Sequence, residues 1–271
     1  MPTLTAGSQD VIAYDEYGAG PLVLLLHGSP GTSKAWSKVA ERLADRFRVI
    51  APNLPGYGET SVPPAGAPPD NAYAARQVET LLAEVGTPRV LAGHSYGGVI
   101  ALRVALGGAV APRALALFEP VAVPLLEALG EAESFAASKA VFDRYIAAFE
   151  RGEGGAVRSM VDYWFGAGAY ERMAPPMKEF LIAHTAHNVH DVRATFQERY
   201  TTEALRRLPM PVLVVCGTRG PEAMTRICRG IASHAAQGSL VTLEKATHAL
   251  TATHVDAVAD MIAALAERAG S

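Results

Sequence analysis

Short apolar runs recur along the chain: "PLVLLLHG" (21–28), "RVIAPN" (48–53), "RVLAGH" (89–94), "ALALFEP" (114–120), "PVLVVCG" (211–217) and "SLVTLE" (239–244). They are rich in β-branched residues or leucine, lack polar alternation, and are stopped by Gly, Pro or a polar residue. That is the pattern of strands covered on both faces in a parallel sheet. Between them, helical patterns fall over 33–46, 71–86, 97–107, 222–236 and 253–268. The alternation predicts an open, mostly parallel α/β sheet with helices on both faces. The opening "TLTAGSQDVIAYDEYG" (3–18) adds an antiparallel pair at one edge.

From 121 to 206 the alternation stops. No strand run appears, and Phe135, Phe142, Tyr145 and Phe149 recur at helical spacing. "RGEGG" (151–155) ends that helix, "DYWFGAGAY" (162–170) turns, and "PPMKEFLIAHTAHNVHDVRATF" (175–196) starts another behind two prolines. The stretch holds more than half of the chain's aromatic residues, so it has apolar surface of its own to bury over a pocket. The expected organisation is a core of 1–120 and 207–271 with an inserted helical cap over 121–206. The proline-rich stretch 52–70 is a long loop.

Composition removes several function classes. A chain of 271 residues with net charge -3 and no long basic run offers nothing to nucleic acid or to an anionic membrane surface. No window approaches the roughly 18 apolar residues of a membrane span, and the N-terminus lacks a secretory pattern, so a cytoplasmic location is expected. Two cysteines, Cys216 and Cys228, imply no disulfide framework, and Cys216 reads as buried filler. The pattern specifies no oligomeric state.

The chemistry begins at "LAGHSYGGVIAL" (91–102), a Gly-x-Ser-x-Gly where a strand gives way to a helix. So sharp a turn strains the backbone at Ser95, and Gly93 and Gly97 remove side chains that would collide. The serine oxygen then projects above the sheet at a helix N-terminus, where the dipole and free N–H groups favour negative charge. A second tight loop, "LLLHGSPG", lets the backbone N–H of Ser29 join that of Tyr96 as an oxyanion hole. The base belongs late in the chain: "LEKATHALTATH" offers His248 in a loop after the last strand, with His254 opening the final helix. His27 reads as a brace for the oxyanion loop. His184, His187 and Asp191, at i, i+3 and i+7, share a helical face. One helix closes a tetrahedral metal site poorly, so they read as pocket-lining or solvated residues rather than metal ligands. Tyr96 and the Asn53–Tyr57 loop are expected to contribute to the pocket.

With "HGSPG", "APNLPGYGETS", "GHSYGG" and "ATH" in that order, the whole chain resembles the α/β-hydrolase superfamily, in its esterase and lipase-like branch with a helical cap. In most members an aspartate follows the next-to-last strand in a loop reading roughly Gly-x-x-Asp. Here that loop is "CGTRGPE", with Gly220 at the aspartate's place. Three alternatives remain open. Glu119, ending "ALALFE", supplies the acid from the preceding strand and keeps the order nucleophile, acid, base; or Glu222 reaches in from its helix; or there is no acid.

The resemblance implies a serine hydrolase acting on a carboxylic ester, thioester or lactone of an apolar small molecule. Ser95 is the nucleophile, His248 the base, Glu119 the orienting acid, and the mechanism needs no metal or organic cofactor. Epoxide hydrolases and haloalkane dehalogenases of the same fold need an aspartate at position 95, which serine excludes. Hydrolysis of a carbon–carbon bond, a lyase or cofactor-free oxygenase reaction, and a non-catalytic small-molecule receptor stay as alternatives.

Overall fold

The computed structural model describes residues 2–6, 10–64 and 66–270. Among these, the strands are β1 (Thr3–Ala6), β2 (Asp10–Tyr17), β3 (Leu22–Leu26), β4 (Arg48–Pro52), β5 (Val90–His94), β6 (Leu115–Phe118), β7 (Val212–Gly217) and β8 (Gly238–Leu243). They form one sheet in the order β1-β2-β4-β3-β5-β6-β7-β8. β1 pairs antiparallel with β2, and β2 antiparallel with β4; every later pairing is parallel. The expected edge pair is therefore present, while the turn joining it, residues 7–9, lies outside the described residues.

The helices are α1 (Ser37–Leu43), α2 (Ala72–Val85) and α3 (Tyr96–Gly107), followed by seven between β6 and β7: α4 (Leu125–Ala128), α5 (Ala132–Glu150), α6 (Ala156–Phe165), α7 (Ala169–Arg172), α8 (Pro175–Ala183), α9 (Thr185–Gln197) and α10 (Thr202–Arg206). After β7 come α11 (Glu222–His234), α12 (Leu250–Thr253) and α13 (Val255–Arg268).

Strand periodicity divides the interior into two cores. Leu24, Leu26, Leu91, Leu115, Leu117 and Val214 face α2, α3 and α11, and this core continues into the α4–α10 segment. Val23, Leu25, Ala92, Ala116, Phe118 and Val215 face α1 and α13. The helices match that demand. α11 buries Met224, Ile227, Cys228 and Ile231, a stripe at helical spacing, whereas α3, packed on β5 and β6 and against α2, is buried nearly all round.

Four expectations change. The stretch 33–46 opens as a 3₁₀ turn, Ser33–Trp36, before α1, because Ser33 is held by Asp15 and by Asn53. Residues 162–165 continue α6, since nothing breaks the helix before Gly166, whose φ of 95° ends it. The single helix expected over 175–196 is two, divided at His184, whose ring Nδ1 bonds back to the Phe180 carbonyl. β8 is an exposed strand rather than one covered on both faces, and it ends the sheet, with no strand paired to its outer side among the described residues.

Phe118 is fully buried, with its ring edge-on to Trp36 at 5.7 Å. Phe118→Ala is expected to cost about 3–5 kcal/mol of stability. A lowered urea midpoint with an unchanged denaturant slope is the measurement that checks it.

Candidate active site

β5 delivers Ser95 to the carboxyl edge of the sheet. Its φ of 55° and ψ of -120° lie where side chains rarely go, so the surroundings must hold it there. Gly93 and Gly97 make the turn possible: a Cβ on Gly93 would sit 2.2 Å from the Gly97 carbonyl oxygen, and one on Gly97 2.3 Å from that of Leu26. The Ser95 N–H donates to the Phe118 carbonyl at 3.0 Å, and α3 starts at the next residue.

One strand over, β6 ends in a second non-glycine residue of positive φ, Glu119, at 44°. Its N–H donates to the Val215 carbonyl on β7, and its Oε1 accepts the Gly217 N–H at 2.7 Å. That leaves Oε2 facing His248 Nδ1 at 2.6 Å, while His248 Nε2 lies 2.9 Å from Ser95 Oγ. With the imidazole proton on Nδ1 toward the carboxylate, Nε2 is the acceptor for the serine hydroxyl. All three side chains are buried. The structure thus brings Glu119, not Glu222, to the histidine; Glu222 is largely exposed and paired with Arg226. A Cβ on Gly220 would stand 3.3 Å from Glu119 Oε1, so the place left vacant in the loop is filled from the neighbouring strand.

His248 is held on its faces as well. The Trp164 ring, from α6, stacks on it at 4.4 Å and 21°, and His94 packs at 4.9 Å. Enclosure, and secondarily the neighbouring His248, push the His94 imidazole down to about 3. His94 therefore stays neutral near pH 7, and its Nε2–H donates to the His248 carbonyl at 2.8 Å.

Ser29 and Tyr96 flank Ser95 in the wall of one cavity of about 580 Å³. Their backbone N–H groups have no acceptor among the described residues. His27 braces the Ser29 loop: Nδ1–H donates to the Gly28 carbonyl, and Nε2 accepts the Leu54 N–H at 2.9 Å. Most of the remaining wall is apolar, with Phe142, Met160, Trp164, Phe165, Leu181 and Phe196 from the α4–α10 segment, while Asn188 and Asp191 of α9 add a polar patch. The Asn53–Tyr57 loop contributes indirectly. Asn53 Oδ1 accepts the Ser33 N–H, and the Tyr57 hydroxyl donates to Asp191.

His184 caps the N-terminus of α9, so the face expected for it is kept: His184 and His187 both pack on the Tyr57 ring, and Asp191 accepts from the Tyr57 hydroxyl. Among the described residues no group of three or more His, Cys, Asp or Glu is arranged to hold a metal ion. Sequence reasoning missed two features: the stacking of Trp164 on the histidine, and the engagement of Asp191 with Ser29 Oγ at 2.6 Å. Neither has a local signal, since each joins residues far apart in the chain.

A parallel sheet carrying serine, imidazole and carboxylate in hydrogen-bonded sequence at its carboxyl edge defines an α/β hydrolase. A profile of the alpha/beta hydrolase family matches residues 23–261, and the chain belongs to that family. It is 30% identical over 236 residues to the magnesium-chelatase 30 kDa subunit of Rhodobacter capsulatus, covering 72% of this chain and 78% of that one. Over 94 residues it is 39% identical to a fluoroacetate dehalogenase from Burkholderia sp, covering 33% of this chain and 31% of the dehalogenase. The chain thus spans under a third of that relative's length. A thermophilic esterase from Thermogutta terrifontis superposes with a TM-score of 0.72 at 23% identity, covering 99% of this chain and 97% of that one, a likeness of fold. No helix among the described residues is long and apolar enough to cross a membrane.

Burial pushes the His27 imidazole down to about 4, against the ordinary 6.5 it regains on unfolding. The unfolded chain therefore binds the extra proton first, and the stability contributed by neutral His27 is present above about pH 6.5 and lost as pH falls toward 4. Denaturant titrations across that window are expected to show stability falling with acidity, with a shallower slope in His27→Gln.

Proposed function

We propose that this protein is a serine hydrolase that cleaves a carboxylic ester of an apolar small molecule through an acyl-enzyme on Ser95. The observation that carries the reading is the unbroken row Ser95 Oγ, His248 Nε2 and Nδ1, Glu119 Oε2, with contacts of 2.9 and 2.6 Å. His248 takes the serine proton as Ser95 Oγ bonds to the ester carbonyl carbon. Glu119 keeps the ring in the tautomer that accepts at Nε2 and stabilises the imidazolium that forms. The carbonyl electrons move onto oxygen, which the Ser29 and Tyr96 amides receive. Collapse expels the alcohol, protonated by His248. Water then attacks the acyl-enzyme with the same ring as base, releasing the acid and restoring the hydroxyl.

The same carbonyl chemistry extends to thioesters and lactones. Residues 121–206 act as a cap whose apolar wall receives the acyl or alcohol chain and excludes water from the reacting carbonyl. The chemistry calls on no metal or organic cofactor.

In this reading, Ser95→Ala abolishes turnover of short and medium acyl esters and removes labelling by a fluorophosphonate probe. Turnover surviving Ser95→Ala rules the acyl-enzyme out. Glu119→Gln is expected to lower kcat on the order of 10³–10⁴-fold, by analogy with neutralised triad acids. Glu222→Gln leaves kcat within about twofold, as a surface change does. Parallel ester assays of the two variants check the assignment, and equal small effects would remove Glu119 from the mechanism.

A further inference from the structure

Asp191, on α9, is buried in the cavity wall, and its Oδ2 accepts from Ser29 Oγ at 2.6 Å and from the Tyr57 hydroxyl at 2.7 Å. Ser29 Oγ also accepts from Asn188 Nδ2 at 2.8 Å and lies 2.7 Å from the Tyr57 hydroxyl, so it sits in a closed polar cluster around the carboxylate. Burial first, and the nearby Asp191 carboxylate second, push the Tyr96 and Tyr145 phenols up.

Two hydroxyl donors solvate a carboxylate without neutralising it. No Lys or Arg lines the cavity, His190 Nδ1 stands 3.9 Å from the other oxygen, and Arg103 is taken up by Glu198. A buried carboxylate is costly unless a positive group meets it, and the one ionisable group in reach is a histidine that carries charge only when protonated. Here it also opposes chemistry, because Ser29 belongs to the loop whose amide would receive the oxyanion, and two like charges close together in a dry site repel. A cation in the cavity removes both penalties. The remaining wall is suited to one: Tyr96, Phe142, Trp164, Phe165 and Phe196 present aromatic rings to the same space, and ring faces attract alkylammonium groups.

We infer that the cavity selects esters carrying a positively charged alkylammonium group and rejects those carrying a carboxylate, with Asp191 as the residue that sets this preference. The inference rests on the reading of the site as an ester hydrolase and names the substrate class of that site. The ester carbonyl sits between Ser95 and the Ser29 amide, the ammonium lies toward Asp191 against the aromatic rings, and the remaining chain follows the apolar wall.

The test uses three butyrate esters of similar size: butyrylcholine (cationic), neohexyl butyrate (its uncharged isostere) and carboxypropyl butyrate (anionic). Wild-type kcat/KM is expected to fall in that order, with roughly thirtyfold or more between first and last. Asp191→Asn, which keeps shape and removes charge, is expected to shrink that ratio about tenfold while moving the neutral ester less. Equal wild-type rates for cationic and anionic esters overturn the inference, as does a folded Asp191→Asn that keeps the wild-type ratio. Calorimetric binding of the three esters to Ser95→Ala separates this result from the fate of the hydrolase reading. The charge order in binding, without wild-type turnover of any ester, sustains the preference and sinks the hydrolase reading. Binding without charge order, alongside normal wild-type turnover, does the reverse.

Discussion

The imidazole of His248 is held between two strand ends, and the rest of the site depends on that clamp. Ser95 follows β5 and Glu119 follows β6, each in a backbone conformation that costs of order 1–3 kcal/mol for a residue with a side chain. Neighbouring strands lie about 4.7–4.9 Å apart, so residues at adjacent ends can serve the two nitrogens of one ring. The sheet's own hydrogen bonds hold both conformations. The Ser95 N–H is paired to Phe118, the Glu119 N–H to Val215, and the Gly217 N–H fixes one carboxylate oxygen so that the other meets the imidazole.

The segment between β6 and β7 is tied to this machinery at two points. Trp164 covers a face of the His248 ring, and Asp191 with Asn188 grips the Ser29 side chain. The histidine and the loop carrying the Ser29 amide are therefore positioned from above by the same helices that wall the cavity. Polar groups buried in this way are strongly coupled, because leaving any one unsatisfied costs more than the bond it makes. Asn188 shows the closure of the network: it donates to Ser29 and accepts from Tyr145, so both ends of its amide are used.

The carboxylate illustrates how a fold tolerates a change in which residue supplies a group. Gly220 stands where the resemblance to the family calls for an aspartate, and Glu119 Oε1 lies 3.3 Å from where its Cβ would be. Both strand ends, β6 and β7, open onto the same spot beside His248. A glutamate on the nearer strand has the length to reach the imidazole while keeping a backbone N–H of β7 as its second partner. A side chain at 220 would crowd that carboxylate, so the absence of one there and the presence of Glu119 are a matched pair.

Local physics was legible in the chain itself. Unbroken apolar runs announced the parallel strands, because burial on both faces leaves no position for a polar residue. The glycines around Ser95 announced the sharp turn, since the conflict Gly93 relieves is with the nearby Gly97 carbonyl, whereas the one Gly97 relieves, with Leu26, comes from the tertiary fold. His248 was legible from its place after the last strand, and the aromatic richness of 121–206 from the apolar surface it had to bury. Tertiary structure decided the rest. The choice between Glu119 and Glu222 turned on which strand end faces the histidine, a contact across 129 residues. The break at His184, the stacking of Trp164 and the bond from Ser29 to Asp191 likewise depend on packing between distant segments. Short-range pattern records what a residue can do; which partner it meets is set by strand order and helix docking, and those come from the chain's total burial rather than from any window within it.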